Sequence, residues 1–129
     1  MASAEGTCKQ ILVVEDEADI RLALKEALEW KGYRVVTASN GIEALDTLSR
    51  ILRPCLILLD LMMPVMNGWE FSETLRADKN FASIPIVVVS AYKDRGCEIG
   101  AQGIIMKPVD LNILFSLVKK YCGEQAQAS

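Results

Sequence analysis

The 129-residue sequence predicts an α/β fold, a parallel sheet covered by helices on both faces. Four short continuous apolar runs, Ile11–Val14, Leu56–Leu59, Ile86–Val89 and Ile104–Met106, read as strands buried on both sides. Between the runs the hydrophobic spacing changes to the helical period. The two patterns alternate along the whole chain in the order βαβαβαβαβα, which implies right-handed crossovers onto one sheet.

The first run leads into a helix in which Ile20, Leu24, Ala27 and Leu28 share a face. Arg21, Lys25, Glu26 and Glu29 fall mostly on the other side, and Gly32 ends the helix. A more mixed segment, Tyr33–Ala38, supplies a fifth strand, second in chain order. Asn40 is placed to cap the next helix, which carries Ala44, Leu45, Leu48 and Leu52 and is stopped by Pro54. After the run ending at Leu59, a third helix is expected from about Gly68, burying Phe71 and Leu75. The last helix shows Leu111, Leu114, Phe115 and Val118, with Asp110 as its N-cap and Lys119 and Lys120 in its final turn, where cations suit the helix dipole. The crossover from Ser90 to Gly103 is short, and Gly96 and Gly100 weaken any helix in it, so this fourth helix is expected to have one or two turns or to be irregular. Residues 1–9 and 123–129 read as polar tails around a single domain over 10–122.

Composition narrows the function. Apolar residues make up 51% and charged residues 24%, as in a folded globular domain. The net charge of −3 provides no basic patch for nucleic acid. No apolar run is long enough to span a membrane, and residues 1–10 lack the hydrophobic stretch of a secretory signal. Cys8, Cys55, Cys97 and Cys122 have no C-x-x-C spacing, and the chain has no histidine, which disfavours zinc and removes histidine-dependent triads. The cysteines are therefore expected as free thiols in a reducing cytoplasm, with Cys55 a small buried hydrophobe. Met62, Met63 and Met66 read as packing and Trp69 as a helix contact.

Placement carries the chemistry. Glu15 and Asp16 follow the first run directly, Asp60 the third strand, Ser90 the fourth and Lys107 the fifth. Parallel strands all point one way, so these groups meet at the sheet edge where open α/β folds hold ligands. Two like charges 4 Å apart cost about 4 kcal/mol at an effective dielectric near 20, and a single lysine cannot offset several such pairs. An all-oxygen set selects a hard divalent ion, Mg²⁺ or Mn²⁺. Mg²⁺ commonly takes a phosphate as well, and a carboxylate can be the nucleophile that forms an acyl phosphate. Asp60, from a central strand, is the candidate.

The motifs ILVVEDE (11–17), LLDLMMPVMNGWE (58–70), IPIVVVSA (84–91) and MKP (106–108) together resemble the receiver domains of two-component response regulators, over about residues 10–122. The resemblance implies a flavodoxin-like doubly wound five-stranded sheet of order 2-1-3-4-5. It implies that Asp60 accepts a phosphoryl group from a phosphohistidine on a partner histidine kinase or histidine phosphotransfer protein. Asp16 and Asp60 would hold Mg²⁺, with Glu15 acting directly or through water and the Met62 backbone carbonyl completing the set. Ser90, the Ala91 N–H and Lys107 would contact the phosphoryl oxygens, and the Lys107–Pro108 bond would be cis. Met62 and Tyr92 occupy the two positions that govern access to the acyl phosphate. The resemblance also implies a signalling role through an unidentified downstream protein and no enzymatic activity beyond assisting its own phosphorylation and dephosphorylation; the charge and the short apolar runs point to no direct nucleic-acid or membrane contact.

Two departures from the family pattern stand out. An aromatic residue usual three positions before the lysine is replaced by Ile104, which rules out an aromatic switch there; Tyr92 is the nearby aromatic. The short fourth crossover alters the usual dimer or partner surface. Among competing readings, a phosphatase or phosphotransferase with an Asp nucleophile needs a second acid two residues on, where Met62 stands. A flavin module needs a phosphate-cradling loop after the first strand, where the acidic EDEAD stands. A degenerate receiver that binds without phosphorylation is the remaining alternative.

Overall fold

The computed structural model describes residues 10–91 and 100–123. Its elements run β1 (Gln10–Val14), α1 (Ala18–Trp30), β2 (Arg34–Ala38), α2 (Gly41–Leu48), β3 (Leu56–Asp60), α3 (Gly68–Arg76), β4 (Ile86–Ser90), β5 (Gly103–Met106) and α4 (Leu111–Cys122). All strand pairs are parallel, in the order β2-β1-β3-β4-β5, the flavodoxin-like arrangement. The fourth crossover falls largely on residues 92–99, outside the described residues, as do the tails 1–9 and 124–129.

The continuous apolar runs have a simple physical origin. Successive side chains of a strand point to opposite faces, and here both faces are covered. Ile11, Val13, Leu56, Leu58, Val87, Val89 and Ile105 pack with Leu24 and Leu28 of α1 and Leu114 and Val118 of α4. Leu12, Val14, Ile57, Leu59, Ile86 and Val88 pack on the other side with Ala44 and Leu48 of α2 and Phe71 and Leu75 of α3. Trp69 packs against this second cluster. Cutting a fully buried side chain such as Leu58 to Ala costs about 2–5 kcal/mol.

The caps follow their residue types. Asn40 accepts from the Glu43 N–H, Asp110 from those of Asn112 and Ile113, and Asn67 and Glu70 form a reciprocal capping box at α3. α1 ends in a Schellman motif: Gly32 takes a positive φ of 94°, its N–H donates to Glu29 O, and the Tyr33 N–H donates to Leu28 O.

Three sequence expectations are corrected. α2 ends at Leu48, where Ser49 and Arg50 close tighter turns onto the carbonyls of Asp46 and Thr47, so Leu52 lies beyond the helix and is 84% exposed. Leu111 begins α4 but is exposed, because the buried stripe runs through Leu114, Val118 and Cys122. Cys55 is not a free thiol. It forms a disulfide with Cys122, 67 residues away, with Cα atoms 5.4 Å apart, tying the start of β3 to the last turn of α4. Cys8 and Cys97 lie outside the described residues.

Candidate functional site

Four of the five strands, β1, β3, β4 and β5, deliver functional groups to the same edge. Val14 pairs with Leu59, which brings Glu15 level with Asp60, and Asp60 itself pairs with Val89, one residue before Ser90. The ladders continue past the strand ends. The Glu15 N–H donates to Ala38 O at 3.0 Å and the Lys107 N–H to Ser90 O at 2.9 Å, so these residues have fixed backbones rather than loop freedom.

One carboxylate oxygen from each of Glu15, Asp16 and Asp60 lies within 4.8 Å of the other two. Glu15 and Asp60 are 1% and 4% exposed. Lys107 Nζ is 3.0 Å from Glu15 Oε1, 3.7 Å from Asp60 Oδ2 and 3.9 Å from Glu17 Oε1. Apart from that ion pair, the buried Glu15 Oε1 has no hydrogen-bond donor among the described residues. The Glu17 N–H reaches Glu15 Oε2 at 3.2 Å, and the Met62 N–H reaches Asp60 Oδ1 at 3.3 Å.

Burial pushes the Asp60 carboxyl up to about 7, and the nearby Glu15 charge adds to the rise. The Lys107 charge and the Met62 N–H oppose it without cancelling it. Burial pulls on the Lys107 ammonium in the downward direction, but its contact with Glu15 and the charges of Glu15, Asp60 and Glu17 outweigh that and hold it above its ordinary value. The site thus carries more carboxylate than one lysine neutralises. Three hard oxygen donors, one of them buried with only an ammonium beside it, fit a hard divalent cation such as Mg²⁺ or Mn²⁺.

The turn from Leu61 to Gly68 closes the site. The Gly68 N–H donates to Leu61 O at 3.0 Å, and a Cβ at Gly68 would stand 2.7 Å from both Asp60 O and Leu61 Cα. Only glycine lets α3 start this close to Asp60. Val65 adopts a positive φ of 68° in the same turn. The Lys107–Pro108 bond is cis.

The structure therefore brings Glu15, Asp16, Asp60 and Lys107 together, with the buried Ser90 ending the adjacent strand and Ala91 exposed just after it. Met62 is 57% exposed beside Asp60, and Ile104 is partly buried against the second core cluster. Tyr92 lies outside the described residues. Two participants were not foreseen: Glu17, which reaches Lys107, and Arg21, whose Nη1 donates to Glu15 O at 2.8 Å and Asp16 O at 3.3 Å. The spacing of Arg21, five positions after Asp16, was the available signal.

The profile of the response regulator receiver domain family matches residues 11–119. The chain belongs to that family. It is 34% identical to the polar-differentiation response regulator DivK of Brucella anthropi over 122 residues, covering 90% of this chain and 98% of DivK. It is 41% identical over 105 residues to the probable transcriptional regulator ycf27 of Cyanophora paradoxa, covering 78% of this chain but only 42% of that longer protein. Among solved structures, the receiver domain of the sensor histidine kinase PA1611 from Pseudomonas aeruginosa PAO1, with a magnesium ion coordinated in its active-site cleft, superposes with a TM-score of 0.82. It is 27% identical and covers 91% of this chain and 99% of that one. This receiver domain therefore has the fold and the acidic edge of a two-component signalling module. Among the described residues, no helix is long and apolar enough to cross a membrane.

Proposed function

We propose that this receiver domain is a phosphoacceptor in which Asp60 takes a phosphoryl group from a phosphohistidine on a histidine kinase or histidine phosphotransfer protein. The supporting observation is the meeting of Glu15, Asp16 and Asp60 within 4.8 Å of one another, with Lys107 beside Asp60. These 129 residues contain no histidine, so the donor histidine lies outside them.

In the transfer, an Asp60 carboxylate oxygen attacks phosphorus. The P–O bond forms as the P–N bond breaks, and the departing imidazole nitrogen keeps the electron pair and takes a proton. Glu15, Asp16, Asp60 and the Met62 carbonyl would hold Mg²⁺, which supplies positive charge to the phosphoryl oxygens when bound. The Met62 N–H steadies Asp60 Oδ1 and leaves Oδ2 on the side of Lys107. Lys107 exchanges its carboxylate contacts for the new phosphoryl oxygens, with the Ser90 hydroxyl and the Ala91 N–H as further donors. The resulting charge rearrangement biases the surface that a downstream protein reads. With Ile104 on β5, this bias does not use an aromatic side chain at that position.

The domain has no separate substrate in this reading; it assists only its own modification, does not bind nucleic acid directly and works in the cytoplasm. The test is intact-mass measurement after incubation with acetyl phosphate. Wild type is expected to gain one phosphoryl group only when Mg²⁺ is present, and Asp60→Asn none. No gain by wild type under any condition refutes the reading.

A further inference from the structure

We infer that Arg21 is a positioning residue that holds the Glu15–Asp16 turn in the shape needed to offer its carboxylates to one cation. The inference rests on the reading of Glu15, Asp16 and Asp60 as the Mg²⁺ site.

Arg21 lies in the first turns of α1, and its N–H makes an ordinary helical bond to Glu17 O. Its side chain does not follow the exposed face. It turns back across the start of the helix, and the two hydrogens of a single nitrogen, Nη1, serve two successive carbonyls, Glu15 O at 2.8 Å and Asp16 O at 3.3 Å. These carbonyls belong to the two residues whose carboxylates converge on Asp60.

The turn needs such a clasp. It crowds acceptor oxygens: two carbonyls and two carboxylates, with a third carboxylate facing them. Mutual repulsion of these oxygens favours opening the turn, which would spread the ligand atoms. A cation placed behind the turn neutralises the carbonyl side and leaves the carboxylates directed at the metal side. The guanidinium suits this because it is always charged and presents fixed paired donors. Fixing the groups that orient metal ligands typically changes affinity by an order of magnitude or more. Arg21 is only partly buried, so replacing it leaves no stranded charge in the core.

The test is Mg²⁺ titration by calorimetry on the full chain, well below the melting temperature. Arg21→Met is expected to raise the Mg²⁺ Kd on the order of tenfold, and Arg21→Lys, with charge and donors on a shorter stem, to recover part of that loss. Leu75→Val, a core change in the last turn of α3, is expected to lower the melting temperature and leave the Kd unchanged, which separates positioning from general stability. If Arg21→Met does not fold, Arg21→Gln replaces it with the same expectation. A Met or Gln variant with the wild-type Kd, or a Lys variant no better than Met, overturns the inference while the functional reading stands. A wild-type chain that binds no Mg²⁺ overturns both.

Discussion

Lys107 Nζ stands 3.7 Å from Asp60 Oδ2, close enough to lower the carboxyl's proton affinity but not enough to cancel its burial and the Glu15 charge. The first prediction follows from that balance. Unfolded, Asp60 ionises near 3.8; folded and metal-free, near 7. Between these values the native state holds the extra proton, so this group's contribution to stability falls as pH rises and levels off above about 7. Asp60→Asn removes that fall, and without metal the variant is expected to melt higher than wild type at pH 8 and nearly level with it at pH 4. Mg²⁺ needs the ionised carboxylate, so its affinity is expected to rise as pH increases through 7. Carboxyl carbon NMR titration and calorimetry check both.

The Cys55–Cys122 disulfide closes a loop of 67 residues. By loop-closure entropy such a bond stabilises by about 4 kcal/mol, within a usual range of about 2–4. Denaturant unfolding of oxidised protein with and without dithiothreitol is expected to differ by that amount. Cys122→Ser is expected to match the reduced form and to lose its sensitivity to the reductant.

Gly68→Ala would press a methyl group against the backbone of Asp60 and Leu61 at 2.7 Å. Backbone cannot swing aside as a side chain can, so a cost of about 2–3 kcal/mol is expected. Because the displaced atoms include the Asp60 carbonyl, the same variant is expected to bind Mg²⁺ more weakly, which chemical denaturation and calorimetry would measure separately.

Met62 is exposed two residues after Asp60 and offers attacking water no polar group. Met62→Asn, with an amide that orients water, is expected to shorten the lifetime of the phosphorylated form severalfold. Decay of the phosphorylated intact mass after removal of the donor checks it; an unchanged or longer lifetime contradicts it.

Much of this architecture was legible in the sequence because its causes are local. Asn40 and Asp110 cap helices through their own side chains, and buried parallel strands must be apolar throughout. The meeting of Glu15, Asp16, Asp60 and Lys107 was legible for a different reason. Parallel strands share one carboxyl end, so position along each strand fixes position at the site. Other features depend on distance across the fold, which spacing does not encode. Cys55 and Cys122 meet only because β3 starts near where α4 ends. Periodicity gives the side of a helix on which Arg21 leaves the backbone, but a side chain this long reaches well beyond that side. Leu52 obeyed the helical spacing, yet α2 had already ended.

The central claim is that Asp60 is the phosphoryl-accepting carboxylate. Protein treated with acetyl phosphate and Mg²⁺ is reduced with borohydride, which converts an aspartyl phosphate to homoserine, and is then digested for peptide mass mapping. The expected result is homoserine at position 60 and at no other acidic residue; conversion at Asp16 instead, or at no position, would contradict it.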